Sequence, residues 1–274
     1  IVLSILLAIS CSRHPTWRAQ GYVEGRYTYI ATSAAGILTD LTVDRGAKVS
    51  AGDTLFTLDQ QPESDKYKAA QDSMQQAVAG RNAISANLEF AKLTYQRYQI
   101  LVPKKAIDQS SLDNARSRYN STMQQLTQAN ASIAEANAVL AQAQWSLNQK
   151  TVKAPVDGIV FDTFYRRGEY VEASKPVLSM LAPENIKVIF YISEANLGSI
   201  QLGDKVTIHC DGGEQDQTGR ISFISPTAEY TPPVIYSTET NAKLIFRIEA
   251  SFAPDQARLL HPGQPVTVTW TRYE

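Results

Sequence analysis

From about Gln61 to Lys150, apolar residues recur in alternating steps of three and four. Starting at Tyr67, the steps give Ala70, Met74, Ala77, Arg81, Ile84, Leu88, Ala91, Tyr95, Tyr98 and Val102, and only Arg81 breaks the apolar series. From Leu112 they give Ala115, Tyr119, Thr122, Leu126, Ala129, Ile133, Ala136, Leu140, Ala143 and Leu147, with Thr122 the polar exception. Two seams of about five heptads each predict a coiled coil. The link Val102-Pro103-Lys104-Lys105-Ala106-Ile107 is short; Pro103 stops the first helix and Asp108 offers an N-cap to the second. So short a connection makes the helices antiparallel. Helices of about 40 residues extend about 60 Å, and with no further helix evident to pack against, the hairpin is expected to protrude.

On both sides of the hairpin the pattern changes to strict alternation, and the two sides repeat one another. Gly36-Ile37-Leu38-Thr39-Asp40 returns as Gly158-Ile159-Val160-Phe161-Asp162. Arg45-Gly46 returns as Arg167-Gly168, Val49 as Val171, Ala51 as Ala173, and Leu55-Phe56 as Val177-Leu178. The offset is a constant 122 residues. Alternation broken by glycine turns marks a small β unit, and two such units must combine because neither buries a core alone. The hairpin is therefore read as an insertion between two halves of one compact β domain.

Composition then narrows the chemistry. Lys+Arg 26 against Asp+Glu 27, with no basic stripe, excludes a nucleic-acid partner. His14, His209 and His261 are far apart and neither cysteine belongs to a CxxC pair, so no metal site is expected. His209 and Cys210 are neighbours, but they end the alternating run Lys205-Val206-Thr207-Ile208-His209-Cys210. Alternation points adjacent side chains to opposite faces, which argues against a nucleophile and its base. Asp211-Gly212-Gly213-Glu214-Gln215-Asp216-Gln217 lacks the closing bidentate Glu of a calcium loop and reads as a polar hairpin loop. No GxSxG, HExxH, P-loop or dinucleotide fingerprint occurs, so neither enzymatic activity nor a cofactor is expected. From Tyr119 to Gln149 the one charged residue is Glu135. That mild surface fits packing against other copies, lining a water-filled passage, or an inert solvated face.

Ile1 to Ser10 is apolar, uncharged and followed at once by Cys11. Ten helical residues span about 15 Å, half of a bilayer core, so the segment does not cross a membrane as it stands. It resembles the h-region of a secretory signal peptide, and Ala8-Ile9-Ser10-Cys11 resembles a lipobox with Cys11 as the lipidated residue. A buried N-terminal strand and an uncleaved membrane anchor are the alternatives.

The repeated half-units resemble those of lipoyl and biotinyl carrier domains. Halves split around a coiled-coil hairpin are similar to the periplasmic adaptor subunits of tripartite exporters, the HlyD or membrane fusion protein family. Gly46-Ala47-Lys48-Val49-Ser50-Ala51-Gly52-Asp53 is similar to the family's first half-motif and Ala154-Pro155-Val156-Asp157-Gly158-Ile159-Val160 to its second. Tyr191-Ile192-Ser193-Glu194-Ala195-Asn196-Leu197 and Leu202-Gly203-Asp204-Lys205-Val206 resemble the start of its β-barrel. The run from Gly219-Arg220-Ile221 to Tyr230-Thr231-Pro232 resembles the YbhG-like branch in particular. His261-Pro262-Gly263-Gln264-Pro265-Val266 resembles the turn that returns the chain to a membrane-proximal β domain.

This resemblance implies an elongated, mixed α and β, multidomain fold. Its parts are a signal and lipobox segment (1–16), a membrane-proximal β domain (17–33 plus 250–274), a split lipoyl-like domain (34–59 plus 151–182), an α-helical hairpin (60–150) and a β-barrel (183–249). It also implies a function: a periplasmic adaptor, attached to the inner membrane through lipidated Cys11. Such an adaptor joins an inner-membrane transporter of ABC type to a TolC-like outer-membrane duct, as a sealed homo-oligomer of six copies. The family's duct-docking tip carries Arg, three intervening residues, Leu, six intervening residues and Ser. Here Arg97 and Leu101 hold that spacing and Asp108 stands at the serine position. A true lipoate or biotin carrier needs a lysine at the turn joining its halves. Here the halves end at Leu58 and resume near Thr151, and Lys66 and Lys68 fall in the opening turns of the helix. An envelope scaffold that binds a partner through its coiled coil without a conduit is the alternative function.

Overall fold

The computed structural model describes residues 16–210, 216–230 and 244–271. Along them run β1 (Thr16–Gly25), β2 (Thr28–Ala31), β3 (Gly36–Leu41), β4 (Lys48–Val49), β5 (Thr54–Leu58), α1 (Gln61–Leu101) and α2 (Gln109–Asn148). There follow β6 (Thr151–Lys153), β7 (Gly158–Thr163), β8 (Tyr170–Val171), β9 (Pro176–Leu181), β10 (Ile186–Ser193), β11 (Lys205–Cys210), β12 (Gln217–Ile224), β13 (Glu229–Tyr230), β14 (Leu244–Ser251), the short α3 (Pro254–Ala257) and β15 (Pro265–Thr271).

The hairpin follows the two seams position by position. Every seam residue from Tyr67 to Val102 and from Leu112 to Leu147 is buried or half-buried, with Ala70, Ala91, Ala115 and Thr122 the most enclosed. A two-helix pair has no third layer, so its larger seam side chains keep one edge in water. Tyr95 stacks on Tyr119 across the seam with ring centroids 5.9 Å apart. Thr122 satisfies its hydroxyl by donating to Arg118 O at 2.9 Å, which is how a polar residue sits in the seam. The 41 residues of α1 carry the tip about 60 Å from the β domains.

The two repeated units are β2–β5 and β6–β9, and the 122-residue offset lays β3 on β7 and β4 on β8. They exchange strands rather than fold side by side. One sheet runs β2-β9-β7-β4 and the other β6-β5-β3-β8, so each contains two strands of each unit. That exchange is the physical reason neither unit closes a core alone. The shared core sets Leu38, Leu55, Phe56 and Leu58 against Val160, Val177, Leu178 and Met180.

Turn chemistry repeats too. Gly46 N donates to Val160 O and Gly168 N to Leu38 O, both at 2.8 Å, with φ of 86° and 93°. Gly52 (φ 92°) is matched by Ser174 (φ 65°), where a Cβ is disfavoured. Ser174→Gly is therefore expected to raise stability by about 0.5–1 kcal/mol in urea unfolding. A loss of stability would show that this turn carries no strain.

The remaining strands β10, β1, β15, β11, β12 and β14 pair antiparallel in that order, and β10 pairs again with β14. The sheet closes into a barrel, which removes its free edges; β13 lies beside β14. Val23, Phe190, Ile208, Ile248, Val268 and Trp270 fill it. Trp17 stacks on Trp270 at 6.5 Å, and Trp270 Nε1 donates to Ser199 Oγ at 3.1 Å.

Strands that the sequence reading divides between a membrane-proximal domain and a barrel thus share one sheet. β1 pairs with β15 from Thr16↔Thr271 to Tyr22↔Pro265, and its other edge pairs with β10. The ring closes only when these terminal strands are included. The boundary expected at residue 250 falls inside β14, and β2, within the 17–33 segment, joins the lipoyl-like sheet. Two links, residues 26–27 and 182–185, connect barrel and lipoyl-like domain.

Candidate functional site at the hairpin tip

Pro103 has no N–H, so the helical ladder of α1 ends at its position. Ala106 N donates back to Leu101 O at 3.2 Å and Lys105 N to Val102 O at 2.9 Å, with Lys105 in the left-handed region at φ 55°. This Schellman arrangement satisfies the last carbonyls of α1 and reverses the chain. Asp108 then stands in extended conformation as the N-cap of α2. Its Oδ1 accepts from Ser111 N at 2.6 Å and from Ser110 Oγ at 2.8 Å. The Ser111 amide foremost, then the Ser110 hydroxyl, holds this carboxyl below its ordinary range. It is an anion at neutral pH and accepts only.

The turn brings Arg97, Leu101 and Asp108 to one end of the hairpin, in three different environments. Arg97 is exposed on α1. Leu101 is half-buried, at the position whose side chain contacts the residue after a Schellman turn. Asp108 is exposed, but its carboxylate is already engaged by the cap.

Beside them lies a feature the sequence reading passed over. Phe90, Leu93 and Ile100 are 63%, 53% and 61% exposed. Their spacing of three and seven puts them on one face of α1, away from the seam, with Arg97 between Leu93 and Ile100. Apolar residues at helical spacing off the seam were the available signal. Lys104 and Lys105 are exposed at the end of the hairpin. The tip therefore offers an apolar stripe, a guanidinium on that stripe, and two ammonium groups beyond it.

Other exposed or chemistry-bearing residues lie apart from the tip. Trp145 is 56% exposed toward the base of α2. β11 turns His209 outward, with Nδ1 2.7 Å from Asp216 Oδ1, and buries Cys210 in the barrel, so the pair faces opposite ways. Cys11, most of the Asp211–Gln217 loop and the Thr231-Pro232 stretch fall outside the described residues. Among the described residues no group of three His, Cys, Asp or Glu could hold a metal ion, and no helix is long and apolar enough to cross a membrane.

A long hairpin inserted in a strand-exchanged lipoyl-like domain, carried on a closed barrel, defines a class of protein, and comparison agrees with it. The profile of the RND MFP alpha-helical hairpin domain matches residues 73–150. MacA from Actinobacillus actinomycetemcomitans shares the fold with a TM-score of 0.72 at 18% identity, over 94% of this chain and 78% of its own. The membrane fusion protein Spr0693 from Streptococcus pneumoniae R6 does so with a TM-score of 0.64 at 20% identity, over 94% and 99%. The UPF0194 membrane protein in the asrC 5′ region of Acidithiobacillus ferridurans is 31% identical over 287 residues, 90% of this chain and 85% of the relative. The chain belongs to the UPF0194 membrane-protein family. Its fold is that of the membrane fusion proteins.

Proposed function

We propose that this protein is a periplasmic adaptor of a tripartite efflux or secretion system. It bridges an inner-membrane transporter of ABC type and a TolC-like outer-membrane duct. The observation that carries this reading is the hairpin: about 60 Å of coiled coil projecting from the β domains and ending in a built, exposed tip. Leu101 and the apolar stripe enter grooves between duct helices, and Arg97 bonds a carbonyl or carboxylate there. Asp108 supports the turn from within its cap.

Copies stack laterally by one repeated heterologous contact, and six close a ring. The weakly charged face of α2 accommodates that packing. The barrel, with β1 and β15 in its wall, stands at the inner-membrane end, held there by lipid on Cys11. Conformational change in the transporter passes along the rigid hairpins to the duct.

In-cell photocrosslinking from position 101, with mass spectrometry of the captured species, tests this. The expected product is an outer-membrane duct protein. Arg97→Glu is expected to lower the capture about thirtyfold, the loss of one central interface anchor, while Asp108→Ser, which keeps a capping oxygen, leaves it intact. Capture of this chain alone would overturn the bridging role in favour of a self-assembling envelope scaffold.

A further inference from the structure

A cleft of about 560 Å³ opens where the lipoyl-like domain meets the barrel. Its floor is apolar, made by the buried Leu181, Ile186 and Leu260. One wall is aromatic: Tyr27, from the link between the domains, lies against Phe161 of β7 with ring centroids 4.1 Å apart. Ile159 continues that wall, paired across β4–β7 with Lys48.

Charge around this apolar surface is one-sided. Arg45, Lys48 and Arg258 all line the cleft, and among the described residues none of them has an ion-pair partner. The one acid among the described lining residues, Asp157, already accepts from Ala51 N at 2.9 Å. This local excess of cations occurs in a chain whose net charge is −1. The Arg45 guanidinium is also placed: its central carbon lies 5.8 Å from the Phe161 ring centroid, which holds the charge over the apolar wall.

We infer that this cleft binds an anionic amphiphile. The apolar chain lies on the floor and along the Tyr27–Phe161 wall, and the head group meets Arg45, Lys48 and Arg258. The volume is that of a small-molecule site, and such sites favour domain interfaces, an apolar lining and a few convergent polar groups. A small inorganic anion would leave the floor in contact with water, and a neutral apolar ligand would leave three cations without a counter-charge. The amphiphile satisfies both. Because it touches both domains, it also fixes the angle between them, whatever the hairpin tip contacts.

Isothermal titration calorimetry of the full chain with dodecyl phosphate, below its micelle concentration, tests the site. One molecule is expected to bind per chain, with dodecyl maltoside and inorganic phosphate each weaker by at least about tenfold. Arg45→Ala combined with Arg258→Ala is expected to weaken binding at least about tenfold, and Phe161→Ala about fivefold. All three side chains are exposed, so an unchanged thermal transition certifies the fold of each variant. Equal affinity for the uncharged maltoside, affinity indifferent to the double arginine variant, or no saturable binding overturns the inference. So does binding that disappears as the chain self-associates, since a second copy would then be the occupant.

Discussion

Lys150→Ala is expected to lower the stability of the lipoyl-like domain and hairpin by about 3 kcal/mol in urea unfolding followed by circular dichroism. Lys150 lies where α2 returns to β6, and its side chain is only 6% exposed. Its Nζ donates to Ala35 O at 2.8 Å and lies 3.3 Å from Glu63 Oε2 in the first turn of α1. One ammonium group thus ties the start of α1, the end of α2 and the segment leading into β3. Glu63 is 19% exposed, and its Oε2 is buried with no hydrogen-bond partner. Removing the lysine leaves a largely buried carboxylate without its counter-charge and the Ala35 carbonyl without its donor. The helix N-terminus still favours Glu63, which keeps the cost toward the lower end for a broken buried pair. Lys150→Met restores volume but not charge and is expected to recover less than half of the loss. A methionine variant as stable as the parent would reduce Lys150 to a packing residue. The Lys150→Ala/Glu63→Ala double variant should be less destabilised than the sum of its singles by at least about 1 kcal/mol.

Lys150 also marks the limit of what the amino-acid order reveals. At the end of an amphipathic helix it reads as a solvated lysine, and its burial depends on Ala35 and Glu63, which only the folded domain brings near. The seams were legible because period and length agree over about five heptads, and the Asp108 cap because capping is local. The 122-residue repeat gave the lipoyl-like core pair by pair, Leu38 with Val160 and Phe56 with Leu178, because identical turns impose identical registers. It did not give the strand exchange, which depends on how two like units pack. Assignment of β1 and β15 to the barrel was also beyond local pattern. Trp17 meets Trp270 across nearly the whole chain, and alternation says only that a strand has a buried face, not which strand covers its edge. At the tip, the spacing places Arg97, Leu101 and Asp108 together, while the exposed Ile100 belongs to neither the seam nor the family signature and so carries no local mark of its role.

Glu249→Gln is expected to destabilise the barrel by about 2–3 kcal/mol at neutral pH, and the deficit should shrink on acidification. The Glu249 side chain is 6% exposed on β14. Its carboxylate lies 2.9 Å from Lys187 Nζ, 3.1 Å from Arg247 Nη2 and 3.6 Å from Arg26 Nη2, and the same Arg247 nitrogen reaches Glu24 Oε2 at 3.2 Å. Burial pushes this carboxyl up, but the Lys187 hydrogen bond and the Lys187, Arg247 and Arg26 charges together outweigh it and hold it below the ordinary glutamate range. A carboxyl held lower in the folded state than in the unfolded chain stabilises fully above the unfolded value. That stabilisation is lost as pH falls through the folded one. The parent and the glutamine variant should therefore draw together as pH falls from the ordinary glutamate range through the lower folded value, below which both carry a neutral group at this site. Trp17 and Trp270 report the barrel by fluorescence once Trp145, on the hairpin, is replaced by Phe. A deficit that grows toward low pH would mean that the desolvation cost, not the three cations, governs the site. The position of Arg26 gives the cluster a further consequence. Arg26 belongs to the 26–27 link and its amide donates to Asn185 O in the other link at 3.0 Å, so Glu249 anchors both connections to the lipoyl-like domain from the barrel side. Loss of its charge should loosen the joint between the domains before it unfolds either, and increased hydrogen exchange at residues 26–27 and 182–185 is the expected sign.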